Sequence, residues 1–207
     1  MPNRSDHPHG MKLVILGRDG TINRYRDDHV KSPEELEPLP GALEAVARLN
    51  HAGWHTVMAT NQPGIGRGLI DMASLNAVHL RLNQLLAEKG GRLDAAFFCP
   101  HAPEDNCNCR KPLPGLIEPI GERFGVDLKN VHMVGASVRD LQTAHQVRHA
   151  AGVDEAQLQE QIALVPGSRV HQDLAAFAET LIHAERRARA QSRGESAEPD
   201  TAPGDLG

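Results

Sequence analysis

Leu13-Val-Ile-Leu-Gly-Arg-Asp-Gly-Thr-Ile-Asn23 is an apolar run that passes directly into a short acidic loop. Consecutive large apolar residues predict a strand buried on both faces, as in a parallel sheet covered by helices. Gly17, Asp19 and Gly20 are typical of a tight turn after such a strand. This loop alone is only a turn signal, so its meaning depends on the rest of the chain.

Apolar runs and helical patterns alternate after this first strand. We predict strands at residues 12–16, 54–59, 95–99 and 131–134, and helices at residues 40–52, 71–89, 115–124 and 173–183. Such alternation indicates parallel strands joined by right-handed crossovers. Aromatic residues are scarce, with one Trp and one Tyr, so the core must be aliphatic. The sequence therefore predicts an α/β fold with a Rossmann-like parallel sheet sandwiched by helices.

The chain has 207 residues, which is enough for one well-cored domain. We predict a disordered leader at residues 1–10, a single domain at residues 11–183 and a disordered tail at residues 184–207. Where a fifth strand is expected after Gly152, the chain is polar and helix-prone, with at most a short edge strand at residues 168–170. The C-terminal strand region is therefore expected to be remodelled.

Charge and hydropathy exclude several classes of function. The net charge is -5 and no long basic stripe is present, so nucleic acid is not an expected partner. No apolar run approaches the roughly 20 residues of a membrane helix, and the N-terminus has no hydrophobic signal core. We expect a cytoplasmic protein that does not bind membranes and is a monomer.

Polar groups follow the second predicted strand at its carboxyl end. The segment Ala59-Thr-Asn-Gln-Pro-Gly-Ile-Gly-Arg-Gly68 carries a hydroxyl and an amide and then a glycine-rich loop. Backbone N–H groups of such a loop can approach an oxyanion. Because ligands of parallel sheets bind at the carboxyl ends of the strands, this segment is expected to meet the acidic loop.

All three cysteines lie in one short segment after the third predicted strand, at Cys99-Pro-His101 and Cys107-Asn-Cys109. Three thiols and one imidazole supply the four soft ligands of a tetrahedral Zn²⁺ site. A redox cysteine pair does not explain why every cysteine is here. Four protein ligands leave no open position, so we predict a structural zinc that fixes the directions of Arg110 and Lys111.

The fourth predicted strand ends at Gly135, and Asp140 lies one helical turn further along. Together the four segments resemble the haloacid-dehalogenase superfamily and, more closely, the D-glycero-D-manno-heptose 1,7-bisphosphate 7-phosphatases, a zinc-containing branch related to the histidinol phosphatases. The resemblance covers residues 11–152 and resumes at residues 168–183. It implies a cytoplasmic, Mg²⁺-dependent phosphatase of lipopolysaccharide heptose synthesis.

The resemblance also implies a role for each matching residue. Asp19 is similar to the general acid/base of the family and Lys111 to the cation that stabilises the transition state. Phosphate or substrate binding is implied for Thr60, Asn61, Gln62, Arg67, Arg110 and Lys111. Zinc binding is implied for Cys99, His101, Cys107 and Cys109.

Two positions depart from the family pattern. Gly17 stands where the nucleophilic aspartate is expected, and glycine has no atom that can attack phosphorus. Ala136 stands where a Mg²⁺ ligand is expected, which leaves Asp19 and Asp140 as carboxylates for the metal. We therefore expect weak or no Mg²⁺ binding, in a pocket that keeps its cations and holds a phosphorylated sugar or another small phosphate anion.

Four interpretations stay open at this point. The main one is a phosphosugar-binding relative of the heptose phosphatases that is inactive or strongly impaired. The second is a working Mg²⁺-dependent phosphatase that uses water or another carboxylate. The third is a decaying copy with an incomplete sheet, and the fourth is a zinc-stabilised interaction module that uses an open sheet edge.

Overall fold

The computed structural model describes residues 10–137, 139–140, 142–144, 168–169 and 171–192. Within these ranges, four parallel strands form one sheet in the order β3-β2-β1-β4. The strands are β1 (Leu13–Leu16), β2 (His55–Asn61), β3 (Ala95–Cys99) and β4 (His132–Val134). Leu16 pairs with Met58 on one side and with Val134 on the other, so the carboxyl ends of β2, β1 and β4 lie side by side.

Helices cover both faces of this sheet. They are α1 (Ala42–His51), α2 (Pro63–Gly66), α3 (Met72–Glu88), α4 (Glu118–Phe124) and α5 (Leu174–Ser192). Short 3-10 turns lie at Pro33–Glu35, Pro103–Asp105, Pro114–Leu116 and Leu128–Asn130. The predicted helix at residues 115–124 is thus a 3-10 turn followed by α4, and the described residues of 139–144 are helical.

The β1 side chains form two cores because successive residues of a strand point to opposite faces. Val14 and Leu16 pack in one cluster with residues of α1, α3 and α5. Leu13 and Ile15 pack in the other cluster with residues of β2, β3 and α4. Burying one such side chain contributes on the order of 2 kcal/mol. The predicted sandwich of helices around a parallel sheet is confirmed.

Helix α3 shows how local sequence sets the element bounds. The carboxylate of Asp71 accepts a hydrogen bond from the backbone N–H of Ser74 at 2.7 Å and caps the first turn. The helix ends before Gly90, whose φ of 75° lies in the left-handed region that favours glycine. The prediction at residues 71–89 therefore includes the helix and its two caps.

Helix α5 corrects the prediction for the C-terminal region. We expected the helix to end at residue 183 and a disordered tail to begin at residue 184, but α5 continues to Ser192. The carboxylate of Glu185 pairs with Lys12 at 2.6 Å and accepts from the Trp54 indole at 3.1 Å. Composition alone suggested disorder because these partners are distant in sequence.

The remaining C-terminal predictions are only partly covered by the structure. Residues 168–169 belong to no strand, contrary to the expected edge strand. Residue 170, the leader at residues 1–9, the remodelled segment at residues 154–161 and the tail from residue 193 lie outside the described residues. Among the described helices, none has both the length and the apolar character needed to cross a membrane.

We expect Glu185→Ala to lower the free energy of unfolding by about 1 kcal/mol at neutral pH, because it removes the partner of Lys12 and Trp54. Burial raises the pKa of Glu185, but the positive charges of Lys12 and Arg189 lower it by a larger amount. The folded-state pKa of Glu185 therefore lies below 4.5. The stabilisation is therefore present above pH 4.5 and is lost as the pH falls through the folded-state pKa.

Urea unfolding at several pH values measures this effect. Glu179→Ala is the matched control, because Glu179 is an exposed glutamate of the same helix. Equal losses of stability in the two variants would show that Glu185 does not anchor α5.

Candidate functional site

The loops that follow the four strands meet at the carboxyl edge of the sheet. They comprise residues 17–23, 60–68, 99–111, 135–137 and 139–140. The amide of Gln62 donates to the carboxylate of Asp19 at 3.0 Å, and the ammonium of Lys111 pairs with Asp140. The predicted meeting of the four segments is therefore observed.

Asp19 is the counter-ion of a buried arginine. The Arg18 guanidinium is 1% exposed and donates to both Asp19 carboxylate oxygens, at 3.0 and 3.1 Å. The side-chain amide of Asn23 also donates to Asp19, at 3.0 Å. Because a buried guanidinium needs a charged partner, Arg18 holds the Asp19 carboxylate in place. The role of Arg18 was not predicted from the sequence. A charged residue this close to the end of a buried strand was the feature that could have indicated it.

His79 of α3 contacts the other side of Arg18. Its Nε2 lies 3.3 Å from Nη1 of Arg18. Burial and the positive charge of Arg18 lower the pKa of His79 to about 4, against the opposing effect of Asp19. The imidazole is therefore neutral at physiological pH, and its Nε2 can accept a hydrogen bond from the Arg18 guanidinium. This contact was not predicted, because His79 lies on a helix remote from the motifs.

Gln62 links the acidic loop to β2. Its side chain is 1% exposed, and its amide nitrogen donates to Asp19 and to Oγ1 of Thr60, the latter at 2.9 Å. Its amide oxygen accepts from Arg18 at 3.2 Å. Both amide hydrogens are thus used inside the protein. The structure places Gln62 as a positioning residue, and its predicted contact with substrate stays a prediction.

Asn61 holds the backbone of Lys111. Its amide donates to the Lys111 carbonyl and accepts from the Lys111 N–H, each at 3.0 Å. The Lys111 side chain is 6% exposed and donates to the Ala59 carbonyl at 2.9 Å. The phosphate contact predicted for Asn61 stays a prediction, whereas its observed side-chain role is to fix Lys111.

Asp140 is engaged by groups of the protein. One carboxylate oxygen pairs with Lys111, and the other accepts from the backbone N–H of Ser137 at 3.2 Å and from its hydroxyl at 2.7 Å. The carboxyl group lies where a side chain of residue 135 would start, so a glycine is required at that position. Lys111 therefore has a carboxylate partner within the described residues.

The two positions without carboxylates border the same loop. Gly17 is buried, and its N–H donates to the Val134 carbonyl at 2.8 Å. The Cβ of Ala136 lies 2.9 Å from the point where Gly20 would carry a Cβ. The side chain of residue 136 therefore packs on the acidic loop, and its correspondence to a Mg²⁺-ligand position stays a prediction.

The described residues do not fit a Mg²⁺ site. Mg²⁺ demands near-octahedral oxygen ligands at about 2.1 Å. Gly17 and Ala136 offer no side-chain oxygen. Asp19 is held by Arg18, and Asp140 is held by Lys111. Weak or absent Mg²⁺ binding stays a prediction.

The cysteine segment brings four ligand atoms together. The Sγ atom of Cys107 lies 3.6 Å from that of Cys99 and 3.7 Å from that of Cys109. Nδ1 of His101 lies 3.6 Å from Sγ of Cys99 and 3.3 Å from Sγ of Cys109. A tetrahedron with Zn–S bonds of about 2.3 Å and a Zn–N bond of about 2.0 Å has edges of roughly 3.6–3.8 Å. These residues therefore fit a four-coordinate zinc ion.

The glycine-rich loop packs against the cysteine segment. The N–H of Gly66 donates to the Pro100 carbonyl at 2.8 Å, and a Cβ on Gly66 would lie 2.6 Å from the backbone nitrogen of Ala102. The exposed Arg67 lies 3.7 Å from a carboxylate oxygen of Glu104. Arg67 is therefore at the rim, where a contact with bound substrate is sterically open.

Three buried polar atoms in the described residues have no hydrogen-bond partner. They are Oγ1 of Thr21, Oδ1 of Asn23 and Nη1 of Arg110. The first two belong to the acidic loop, and Arg110 directly follows the cysteine segment. Buried polar groups normally have partners, and these three atoms lie in two of the four loops at this edge of the sheet.

Charges at the site leave an excess of one positive charge. The cations are Arg18, Arg110 and Lys111, and the carboxylates are Asp19 and Asp140. Asp19 and Asp140 each pair with one cation, which leaves Arg110. The arrangement is therefore suited to an oxyanion.

The chain is similar to known proteins over most of its length. The family model of the haloacid dehalogenase-like hydrolases matches residues 12–148. A D-glycero-beta-D-manno-heptose-1,7-bisphosphate 7-phosphatase of Bordetella bronchiseptica is 50% identical over 176 residues, which cover 83% of this chain and 98% of the relative. Its namesake of Pseudomonas aeruginosa is 50% identical over 135 residues, which cover 65% of this chain and 76% of the relative.

Solved structures give the same result. The crystal structure of D,D-heptose 1,7-bisphosphate phosphatase from B. bronchiseptica, complexed with magnesium and phosphate, superposes with a TM-score of 0.77 at 49% identity. The match covers 84% of this chain and 99% of that chain. A D,D-heptose 1,7-bisphosphate phosphatase from Burkholderia thailandensis matches with a TM-score of 0.59 at 42% identity, covering 83% and 98% of the two chains.

We expect Asn61→Asp to destabilise the protein by about 1–3 kcal/mol, because the carboxylate cannot donate to the Lys111 carbonyl and would face it. Urea unfolding measures the loss. Asn76→Asp is the control, since it makes the same change at an exposed position of α3. Indistinguishable unfolding curves for the two variants would contradict a role of Asn61 in holding Lys111.

Proposed function

The chain belongs to the haloacid dehalogenase-like hydrolases and, within them, to the D-glycero-D-manno-heptose 1,7-bisphosphate 7-phosphatases, and on this premise we propose that it binds a phosphorylated heptose but cleaves the phosphate ester very slowly or not at all. One observation carries the proposal. The residue at the end of β1, where the resemblance implies the nucleophile, is Gly17.

Slow cleavage is proposed because none of the described residues takes the place of the missing nucleophile. Asp19 is held by Arg18, Asn23 and Gln62, so its carboxylate is not free to move toward Gly17. Phosphoryl transfer requires the attacking and leaving oxygens to be roughly in line. Loss of the nucleophile is expected to lower the rate by about ten-thousandfold, or roughly 5.5 kcal/mol of transition-state stabilisation.

Retained binding is proposed because Nη1 of Arg110 and Oγ1 of Thr21 have no hydrogen-bond partner in the described residues, and a phosphate group offers acceptors to both. Lys111 is fixed by Asn61, and the site has one excess positive charge. Charge-assisted hydrogen bonds to phosphate are roughly twice as strong as neutral ones. Binding through these groups does not need Mg²⁺.

We further propose a structural zinc ion bound by Cys99, His101, Cys107 and Cys109. The spacing of the ligand atoms supports this site. A bound zinc ion would hold together the loop that carries Arg110 and Lys111. It would therefore affect the phosphate site by fixing the positions of these two residues. Four protein ligands leave no position for water or substrate, so the ion takes no part in the chemistry.

A second candidate function is a working phosphatase. It is favoured by the 50% identity to the enzyme of B. bronchiseptica over nearly the whole length of that relative. It requires water or another carboxylate as the nucleophile, and it would depend on Mg²⁺ and on Lys111.

The decaying copy and the interaction module depend on residues after Gly152, most of which lie outside the described residues. The role in lipopolysaccharide heptose synthesis, the cytoplasmic location and the monomeric state stay predictions.

Calorimetry and phosphate release, both measured with D-glycero-D-manno-heptose 1,7-bisphosphate, test the main proposal. We expect one molecule bound per chain and release at least about a thousandfold slower than in Gly17→Asp with Ala136→Asp and Mg²⁺. The control is Gly17→Asn with Ala136→Asn, which restores the side-chain volume without the carboxylates. Lys111→Ala is expected to weaken binding.

Two outcomes would overturn this proposal. Absence of any heat of binding would exclude the phosphosugar pocket. Mg²⁺-dependent release by the unaltered chain, lost in Lys111→Ala, would establish the working phosphatase instead.

The zinc proposal is tested with Cys107→Ser. We expect the variant to lose its zinc, as measured by elemental mass spectrometry, and to bind the heptose bisphosphate at least about tenfold more weakly. Asn108→Ser is the matched control and should keep one zinc ion per chain. Full zinc content in Cys107→Ser, or unchanged binding after zinc loss, would contradict the proposed coupling.

A further inference from the structure

We propose that His79 of α3 is a positioning residue for Asp19: its Nε2 accepts a hydrogen bond from the buried Arg18 guanidinium and thereby fixes the orientation of the Asp19 carboxylate. The acid/base role of Asp19 belongs to the proposed function, and the inference rests on that function only for its effect on turnover. The hydrogen bonds that carry it do not depend on any substrate.

The guanidinium of Arg18 has one acceptor at its far end. Nε and Nη2 donate to Oδ1 of Asp19 at 3.2 and 3.0 Å, and Nη2 also donates to Oδ2 at 3.1 Å. Nη2 is in addition 3.2 Å from the amide oxygen of Gln62. Nη1 has a single partner among the described residues, which is Nε2 of His79 at 3.3 Å. His79 therefore fixes the part of the guanidinium that Asp19 and Gln62 do not reach.

The planar shape of the guanidinium transmits this contact to Asp19. Its five N–H donors keep fixed directions relative to one another. A rotation that gives Nη1 a different acceptor therefore turns Nε and Nη2 away from the carboxylate. Because Arg18 is 1% exposed, water is a poor replacement for the imidazole. Loss of the imidazole acceptor is thus expected to change the orientation of Arg18 and of Asp19 together.

The imidazole of His79 is itself held by α3 and β3. His79 lies four residues after Leu75 and three before Leu82, both 0% exposed, so it belongs to the buried face of the helix. Its ring is T-shaped to that of Phe98, with centroids 6.3 Å apart. Burial and the charge of Arg18 lower the pKa of His79 to about 4, which leaves a lone pair on the neutral ring. A fixed, neutral acceptor therefore faces the guanidinium.

Nitrogen nuclear magnetic resonance of the unaltered chain tests the contact and does not depend on the folding of any variant. The ring resonances of His79 are expected to show a protonated Nδ1 and an unprotonated Nε2 at pH 7. The two Nη groups of Arg18 are expected to give separate resonances, because their hydrogen bonds hinder rotation of the guanidinium. A protonated Nε2 at pH 7 would overturn the proposal, since that nitrogen could not accept from Arg18.

Two substitutions separate the acceptor from the packing of the ring. His79→Phe keeps an aromatic ring beside Phe98 and removes the acceptor, whereas His79→Gln keeps an acceptor on a flexible side chain. We expect the Arg18 guanidinium to rotate at least about tenfold faster in His79→Phe and within about threefold of the unaltered rate in His79→Gln. An unchanged rotation rate in His79→Phe would contradict the proposal.

The orientation of Asp19 is measured through its two amide donors. The side-chain amides of Asn23 and Gln62 both donate to this carboxylate at 3.0 Å. Their proton resonances are expected to shift in His79→Phe and to stay in place in Leu82→Ala. The latter is the matched control, because it lowers stability by opening a cavity on the same face of α3. Equal shifts in the two variants would show that His79 acts only through packing.

Turnover measures the consequence for catalysis, in the chain that carries Gly17→Asp with Ala136→Asp. In this background His79→Phe is expected to lower kcat at least about tenfold with KM within about threefold, since Asp19 is misplaced and the phosphate ligands are not. His79→Gln and Leu82→Ala should each keep kcat within about threefold. Full kcat in His79→Phe would overturn the positioning role.

The two proposals fail separately. Absence of phosphate release by the chain with both carboxylates restored would contradict the proposed function, and the Arg18 rotation and the amide shifts would then decide the role of His79. A protonated Nε2 of His79 in a chain that binds the heptose bisphosphate would uphold the proposed function and reject the positioning role.

Discussion

The pairing of β1 with β2 on one edge and with β4 on the other is the constraint on which the site depends. It sets the ends of three parallel strands side by side, so loops distant in sequence can exchange hydrogen bonds. Gln62 reaches Asp19, and Lys111 reaches Asp140, only because of this register. The apolar run of β1 is therefore both the centre of the two cores and the support of the pocket.

Ion pairs explain how the candidate site keeps its two carboxylates. Each carboxylate has its own cation, since Asp19 pairs with Arg18 and Asp140 with Lys111. A buried charge without a partner would be strongly destabilising. Here each ion pair is formed within the described residues, so neither carboxylate is buried without a partner. Nη1 of Arg110, between the cysteine segment and Lys111, has no hydrogen-bond partner in the described residues.

Periodicity and motif spacing predicted the sheet, the order of its elements and the gathering of the four loops. These properties follow from local patterns and from the geometry of parallel strands. The contacts of individual side chains could not be predicted from these local patterns. Arg18 and His79 form a contact across the fold, and Asn61 bonds a backbone fifty positions away. The extension of α5 was missed for the same reason, since Glu185 is ordered by Lys12 and Trp54.

The contact of Glu185 with Lys12 and Trp54 lies at the amino ends of β1 and β2, whereas the pocket lies at their carboxyl ends. The described residues begin at Gly10 and end at Ser192. Both residues therefore lie on the side of the sheet away from the candidate site. A surface linker, a fluorophore or a fused reporter attached at either place leaves the pocket mouth unobstructed. The fold thus offers two attachment points that lie away from the candidate site.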